Sequence, residues 1–205
     1  MTRTAATAPS AATSPVSTEE RVVRAAYACF GSNGIARTTI EDIAREAGVS
    51  RPTVYKYFPG KEAILDEISR RETLAVNAEV RRNLVRHESF ADFLTGVLLL
   101  VVRIAGSNPY IRRMTESRDY QLHSMDRGSP MFRLQYGWWH GMLRHAAERG
   151  ELAADLDEDE IVTWLTYSQS LLLDYVENPS LDEAALTRLI RRFVVEPLLA
   201  GRRSA

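Results

Sequence analysis

The pattern of apolar and polar residues is helical through most of the chain, and it is sharpest between residues 39 and 61. Ile40, Ile43, Ala44 and Ala47 recur at helical spacing, while the charged residues between them fall on the opposite side. A second apolar pair, Val54 and Phe58, lies four residues apart beyond a glycine. The segment is therefore predicted to form two short helices joined by a tight turn.

Capping residues mark the limits of these two helices. Thr39 precedes the first apolar run with Asp42 three residues later, which is an N-cap signal. Gly48 can adopt the left-handed conformation that ends a helix. Ser50 is a second N-cap, and Pro52 lies in the first helical turn, where a missing N–H costs little. These features predict a helix-turn-helix.

The outward-facing residues of the second helix suit nucleic acid. Arg51 and Lys56 carry positive charge, and the hydroxyls of Thr53, Tyr55 and Tyr57 can donate to phosphate oxygens or contact base edges. A helical hairpin with a glycine turn also occurs in proteins that bind no DNA. The pattern alone therefore leaves a purely structural role open.

A longer segment, residues 22–68, resembles the N-terminal domain of TetR-family transcriptional regulators. The resemblance rests on an AxxxF pattern before a glycine, the run TTIEDIAREAGVS, the segment VYKYF and the GKEAIL that opens the next helix. Pro52 departs from the glycine more frequent in the family. The resemblance implies an all-α fold, with an N-terminal three-helix DNA-binding domain at 17–61 and a C-terminal helical ligand-binding and dimerisation domain at 62–205. Residues 1–16, rich in Ala, Thr, Ser and Pro, are expected to be a disordered tail.

The expected DNA contacts combine the outward residues with positions that the resemblance implies. They are Thr38, Thr39, Arg51, Thr53, Tyr55, Lys56, Tyr57 and Lys61. Lys61 opens the fourth helix, where its ammonium and the backbone N–H groups of the first turn could hold a phosphate together. The simpler alternative is a solvated lysine at a helix start.

The remainder of the chain reads as a series of helices without a convincing strand. Helices are predicted over 61–86, 90–105, from Asn108 and Pro109 onward, and over 131–150, 158–176 and 182–199, with residues 117–130 forming an irregular loop or lid. The longest apolar run, 93–105, is too short to cross a bilayer and is predicted to be a buried helix.

The last two predicted helices carry wide apolar stripes. The resemblance implies that they pair with their copies in a four-helix bundle, so that the protein is a homodimer. The candidate interface residues are Ile161, Trp164, Leu165, Leu172, Leu186, Leu189, Ile190 and Phe193. Part of this surface could instead be buried within one chain.

The middle helices form the ligand chamber that the resemblance implies, and the expected effector is small and apolar or amphipathic. Methionine and aromatic side chains line adaptable apolar sites. The candidates are Phe93, Met114, Met125, Trp138, Met142 and Tyr167. A stripe of such residues can equally be ordinary core.

Composition and charge restrict how DNA could be bound. The chain has 205 residues, of which 45% are hydrophobic, and a formal net charge of −1, so it is not a basic nucleic-acid coat. Between residues 37 and 61 five basic residues face three acidic ones, so affinity must depend on geometry and dimerisation as well as charge. The single cysteine, Cys29, excludes an intramolecular disulfide and suits the reducing cytoplasm.

No motif of a known catalytic class is present. The sequence has no phosphate-binding glycine loop, no GxSxG, no HExxH and no paired CxxC, and its four histidines lack metal-ligand spacing. We therefore expect no catalytic residues, metal or cofactor, and no membrane partner. Three hypotheses remain: a ligand-responsive repressor that binds a palindromic operator as a homodimer, a DNA-binding regulator without an inducer, and a helical enzyme or carrier whose helix-turn-helix is incidental. The first is preferred.

Overall fold

The computed structural model describes residues 16–85, 87–175 and 182–201, and this part of the chain is almost wholly helical. Its α-helices are α1 Thr18–Asn33, α2 Ile40–Ala47, α3 Arg51–Tyr57, α4 Lys61–Asn83, α5 Phe90–Ser107, α6 Pro109–Thr115, α7 Arg118–Met125, α8 Pro130–Glu148, α9 Glu158–Tyr175 and α10 Glu183–Leu189. A π-helical turn, Ile190–Val195, and a 3-10 turn, Glu196–Leu198, follow. The predicted all-α fold is confirmed; the predicted tail, apart from Val16, lies outside the described residues.

Polar side chains fix where the helices begin. Ser17 and Ser50 each accept a hydrogen bond from the backbone N–H three residues later. Thr39 and Asp42 form a reciprocal capping box at the start of α2. Asn108 accepts from two backbone N–H groups of α6. The caps Thr39 and Ser50 and the helix start at Asn108 are the ones that the sequence predicts.

Two hydrophobic cores share one long helix. The N-terminal core is built from α1, α2 and α3 and includes Ile64 and Ile68 from the first half of α4. The C-terminal core is built from α5, α8 and α9 and includes Val76 and Val80 from the second half of α4. Because α4 continues without a break between them, it connects the two cores rigidly.

Helix α5 is the apolar centre of the C-terminal part. Its 18 residues have a mean hydropathy of 1.7, which by length and composition would suit a membrane span. Leu94, Leu98 and Val102 are fully buried, and α5 packs against α4, α9 and the π-helical turn. Its apolar character is therefore explained by its place in the core, as predicted.

The segment predicted to be an irregular loop contains a helix. Residues 118–125 form α7, which packs between α6 and α8. The segment lacks a regular apolar stripe, which is why the pattern gave no helical signal. Helices this short depend on tertiary packing rather than on intrinsic propensity, and that packing cannot be read locally.

The predicted C-terminal helix is also interrupted. Helix α10 ends at Leu189. The backbone hydrogen bonds then reach five residues back instead of four, as from the Glu196 N–H to the Arg191 carbonyl. Pro197 has no N–H with which to continue an α-helical ladder. The change of pattern just before it keeps Ile190 and Val194 in the core.

Candidate nucleic-acid interface

Helix α3 presents a polar and aromatic surface on a firmly anchored backbone. Val54 is fully buried and Phe58 nearly so, which attaches the inner face of the helix to the N-terminal core. On the outer face Tyr55 and Tyr57 expose 41% and 39% of their surface. Large exposed aromatics at a rigid position are typical of a binding surface.

Arg51, Tyr55 and Glu41 form a small cluster across α2 and α3. The Arg51 guanidinium donates to the Tyr55 hydroxyl at 3.2 Å and lies 5.4 Å from the centre of its ring. It also pairs with the Glu41 carboxylate at 2.5 Å. The tyrosine bond, and then Glu41, raise the pKa of Arg51. Because exposed ion pairs are weak, a phosphate or base could replace Glu41 at small cost.

Lys56 is the basic residue of α3 that is most open to a ligand. Its ammonium lies 5.9 Å from the centre of the Tyr57 ring, and it pairs with no acidic side chain in the described part of the chain. Thr53 is half-buried, and its hydroxyl is 2.8 Å from that of Ser50. Lys56 and Tyr57 are therefore open to an incoming strand, whereas Thr53 also supports the start of the helix.

The two threonines before α2 hold the backbone. The Thr38 side chain is buried, and its hydroxyl donates to the carbonyls of Gly34 at 2.8 Å and Cys29 at 3.2 Å. The expected DNA contact through this side chain is corrected, because the hydroxyl faces inward. Thr39 is exposed, but its hydroxyl bonds to Asp42 at 2.7 Å.

Lys61 joins the start of α4 to the loop between α1 and α2. Its ammonium donates to the carbonyls of Ile35 at 3.1 Å and Thr38 at 3.2 Å, which leaves one N–H. Gly60, the N-cap of α4, has no side chain with which to cap the first turn. A cation and uncapped N–H groups thus lie together at the start of α4, an arrangement suited to an anion.

Arg21 is a structural member of the interface that the sequence did not indicate. From α1 it donates to the carbonyls of Ala47 at 2.6 Å and Gly48 at 3.1 Å, which accept no other hydrogen bond from the described residues at the end of α2. Gly48 has a φ of 63°, in the left-handed region, and a Cβ there would lie 3.2 Å from the Arg21 guanidinium. No local pattern predicts these two bonds, because Ala47 and Gly48 lie 26 and 27 residues after Arg21 in the chain.

The predicted ligand residues line different spaces within the part of the chain that the structure describes. Met114 lines a cavity of about 60 Å³ between α4, α6, α7, α8 and α9. Phe93 and Met142 border a different pocket, of about 570 Å³, at the surface. Trp138 lies beneath the Arg81 guanidinium, and Tyr167 is on the outer surface.

Met125, the remaining predicted ligand residue, is half-buried at the end of α7 and lines neither of these spaces. Among the described spaces the six candidates do not share one lining, and a single methionine and aromatic chamber stays a prediction.

The predicted dimer residues separate into two groups. Ile161, Leu165, Leu172 and Ile190 are buried in the chain's own core, because they lie on the inner faces of their helices. Trp164 and Phe193 are exposed, and Leu186 and Leu189 are half-buried. The first four are thus corrected from interface to core positions.

The exposed part of α9 forms an apolar stripe of its own. Trp164, Tyr167 and Leu171 follow one another at helical spacing, with Leu171 59% exposed. Phe193, beyond α10, is also 59% exposed. Large exposed apolar side chains of this kind indicate a surface that another molecule covers.

Comparisons with known proteins agree with this geometry. A family model described as bacterial regulatory proteins, tetR family, matches residues 22–68. The HTH-type transcriptional regulator SrpR of Pseudomonas putida is 30% identical over 148 residues, which are 68% of this chain and 66% of SrpR, just under two thirds of its length.

Two solved structures share the fold over nearly the whole chain. SmeT, the repressor of the Stenotrophomonas maltophilia multidrug efflux pump SmeDEF, superposes with a TM-score of 0.60 at 23% identity, covering 91% of this chain and 92% of SmeT. FadR from Bacillus subtilis, solved in complex with stearoyl-CoA, has a TM-score of 0.62 at 17% identity and covers 87% of this chain and 98% of FadR.

Proposed function

This chain belongs to the TetR family of bacterial regulatory proteins, and we propose that it is a ligand-responsive transcriptional repressor that binds a palindromic operator as a homodimer. The observation that carries the proposal is the anchored α3, which presents Tyr55, Lys56 and Tyr57 outward from a capped helix-turn-helix. Repression is favoured by the likeness to SmeT, a repressor that shares the fold. A regulator of bacterial transcription acts in the cytoplasm, where we place this protein.

The proposed contacts divide into base readout and phosphate binding. Helix α3 enters the major groove, where Arg51 and Tyr55 reach base edges and Lys56 and Tyr57 reach the backbone. Lys61 and the N-terminus of α4 hold a phosphate. Arg51 pairs with Glu41 and Arg45 with Asp42, so the positive charge available to each copy is small. Tight binding therefore requires two copies.

We propose that the dimer forms through the exposed apolar face of α9 and the C-terminal turn. Trp164, Leu171 and Phe193 are the side chains that such contact would remove from water. A two-fold axis at this face would present two α3 helices to successive major grooves, about 34 Å apart. An operator with inverted half-sites would then match the symmetry of the protein.

Release from DNA is proposed to act through α6, which touches both cores. Glu72 on α4 accepts hydrogen bonds from the Tyr27 hydroxyl of α1, at 2.5 Å, and from the side chain of Asn108, the N-cap of α6. A small amphipathic effector between the middle helices would shift α6 and thereby α1. It would weaken operator binding by its differential affinity for the two arrangements.

A regulator without a small-molecule inducer is the second candidate. The observation that favours it is the small volume of the cavity between α4, α6, α7, α8 and α9, about 60 Å³, which is far below the range of about 300 to 1,000 Å³ that is usual for small-molecule sites. In this alternative the C-terminal part serves only for dimerisation.

The test is selection of fragmented genomic DNA by the purified protein at moderate salt, followed by sequencing. We expect a shared inverted repeat, and we expect Tyr55→Ala, with its helical content verified by circular dichroism, to lose the sequence preference. Recovery of DNA with no common sequence would contradict the proposed function. Unchanged selection by Tyr55→Ala would remove α3 from the readout surface.

A further inference from the structure

Apart from Lys56, the cationic side chains between residues 17 and 72 fall into two classes, which differ in what they bond to. The first class pairs with carboxylates and comprises Arg24, Arg45, Arg51, Arg70 and Arg71. The second class donates to backbone carbonyls and comprises Arg21, Arg37 and Lys61. A carbonyl holds a cation without cancelling its net charge, so the second class keeps its charge for another molecule.

Arg37 keeps the terminal edge of its guanidinium open. Its side chain is exposed, and only the Nε–H is used, in a bond to the Asn33 carbonyl at 3.0 Å. The N–H groups on its two terminal nitrogens have no partner among the described residues. These groups form the planar fork with which arginine binds a phosphate through two parallel hydrogen bonds.

The bond to Asn33 also allows a purely structural role. Asn33 is the last residue of α1, and no basic residue lies in the last turn of that helix. Arg37 could serve only to satisfy a carbonyl at the helix end, where a cation is favourable. That role uses the Nε–H alone and is independent of DNA, so a measurement of DNA binding separates the two.

The loop that carries Arg37 is firmly held. The Thr38 hydroxyl bonds to the carbonyls of Gly34 and Cys29, and Gly34 has a φ of 77°, in the left-handed region. Ile35 is buried in the N-terminal core. Because the backbone on both sides of Arg37 is fixed, binding through its side chain costs less conformational entropy than binding through a loop that must first be ordered.

Lys61 brings a second positive charge to the same loop. Its ammonium bonds to the carbonyls of Ile35 and Thr38, which lie on either side of Arg37 in the chain. The exposed carboxylate of Glu62, the next residue, pairs with neither cation. Two uncompensated cations on one short loop raise the local positive potential, which attracts an anion.

This loop lies at the edge of the surface that α3 presents. Helix α3 ends at Tyr57, and Lys61 begins α4 four residues later. The bonds from Lys61 therefore place the loop next to the end of α3, where Lys56 and Tyr57 are exposed. Phosphates line the edges of the major groove, so a cation beside the helix in the groove can reach one.

We propose that Arg37 binds a phosphate of the DNA backbone next to the one that Lys61 holds. The inference rests on the proposed function in its DNA-binding part, and it is independent of the effector and of repression. Such a contact reads no base. It adds affinity and fixes the position of α3 along the groove.

The first measurement is the salt dependence of DNA binding, followed by fluorescence anisotropy on a mixed-sequence duplex and on the selected operator. Arg37→Gln should weaken binding to both DNAs by roughly two- to tenfold and flatten the salt slope by about 0.9 for each bound copy. Arg45→Gln is the matched control, because it removes the same charge from an exposed arginine already paired with Asp42. An equal slope for the two variants would overturn the proposal.

The second measurement separates charge from the bond to Asn33. Arg37→Lys loses the Nε–H but keeps the positive charge, so phosphate binding predicts that its salt slope stays that of wild type. Melting curves of both variants, followed by circular dichroism, measure the structural part. Arg37→Lys with the slope of Arg37→Gln would overturn the proposal.

The third measurement asks whether Arg37 and Lys61 bind different phosphates. Contacts to separate phosphates should add, so Arg37→Gln combined with Lys61→Ala should flatten the slope by about 1.8 for each bound copy. A double variant with the slope of Lys61→Ala alone would overturn a second phosphate contact.

The mixed-sequence duplex needs no operator, so failure of this inference and failure of the proposed function are distinguishable. A slope that depends on Arg37, without a selected operator, would keep the phosphate contact and contradict the repressor. A selected operator with a slope that Arg37→Gln leaves unchanged would keep the regulator and overturn the contact.

Discussion

The hydroxyl of Ser69 on α4 lies 3.2 Å from the sulfur of Met114 on α6, and both residues are buried. Ser69 also donates to the Leu65 carbonyl at 2.7 Å, so its position on α4 is well defined. Met114 comes from the C-terminal half of the chain but packs in the N-terminal core. Helix α6 is thus docked onto the DNA-binding part through Met114, with Ile111 packed against the same core and Tyr110 against Tyr27 of α1.

Replacing this methionine should separate packing from simple volume loss. Met114→Ala is expected to lower the free energy of unfolding by about 2 to 5 kcal/mol, because it leaves a void beside Ser69. Met114→Leu conserves volume and should cost less than about 1.5 kcal/mol. Urea unfolding of both variants measures the difference, and equal losses would show that the volume which leucine retains does not preserve this packing.

The pair between Glu41 and Arg51 is expected to restrain DNA binding. Glu41→Gln should tighten operator binding and steepen its salt dependence, because it frees the guanidinium for DNA. Glu46→Gln on the same helix removes an equal charge from an exposed side chain that pairs with no described cation, and is the matched control. The gain should vanish in an Arg51→Ala background. An equal gain in affinity from Glu41→Gln and Glu46→Gln would show that the effect is only the general repulsion between acidic side chains and DNA.

Lys61 is expected to act in both folding and DNA binding. Lys61→Ala should weaken binding to all DNA sequences. It should also flatten the salt slope, which is the change of log binding constant with log salt concentration, by about one unit. It should also lower stability by about 1 to 3 kcal/mol, since the ammonium bonds to two backbone carbonyls.

Lys56→Ala is the comparison for this prediction, because it removes a cation that holds no backbone group and should leave stability within about 0.5 kcal/mol. Salt titrations of operator binding and urea unfolding give both quantities. A loss of stability with an unchanged salt slope would assign Lys61 a structural role alone.

The exposed stripe on α9 should decide the oligomeric state. Leu171→Asp places a charge in the proposed interface and is expected to yield monomers and abolish tight operator binding. Leu74→Asp changes another exposed leucine, on α4, and should leave the assembly intact. Sedimentation velocity distinguishes the two, and a dimeric Leu171→Asp would place the interface elsewhere.

Acid should loosen the contact between α1 and α4. Arg71 pairs with Glu20 of α1 at 2.6 Å and with Glu67 of its own helix at 2.7 Å. Hydrogen bonds to Arg71 and then Arg24 lower the pKa of Glu20, and bonds to Arg70 and then Arg71 lower the pKa of Glu67. Both carboxylates therefore stabilise the fold above their ordinary pKa of 4.5, and this contribution is lost as the pH falls through their lower folded values.

The variant that checks this acid dependence is Arg71→Met. Its melting temperature should fall less than that of wild type when the pH is lowered from 7 to below 4.5, because less stabilisation remains to be lost. Arg24→Met removes only the exposed pair with Glu20 and should behave nearly as wild type. An equal fall in melting temperature for wild type and Arg71→Met would show that these ion pairs contribute nothing to stability.

The helix-turn-helix was predictable because its signals are local. Ser50, Gly48 and the capping pair of Thr39 and Asp42 lie within three residues of the backbone groups that they serve. Val54 and Phe58 are buried where helical spacing places them. The outward residues of α3 follow from the same spacing.

The apolar stripes were predictable as stripes but not as interfaces. Leu165 and Trp164 are adjacent in sequence, yet one is buried in its own chain and the other is exposed. Hydrophobicity indicates that a face leaves water, whereas the neighbouring helices decide which residues they cover.

The sequence by itself determined most of the helices, the caps around α2 and α3, and the outward face of α3, because each depends on residues within a turn or two of one another. The tertiary structure alone decided that Thr38 points inward, that Arg21 closes the end of α2, and that Lys61 bonds to the loop that carries Arg37. These contacts join residues that are far apart in the chain, and they form only when the packing of whole helices brings them together.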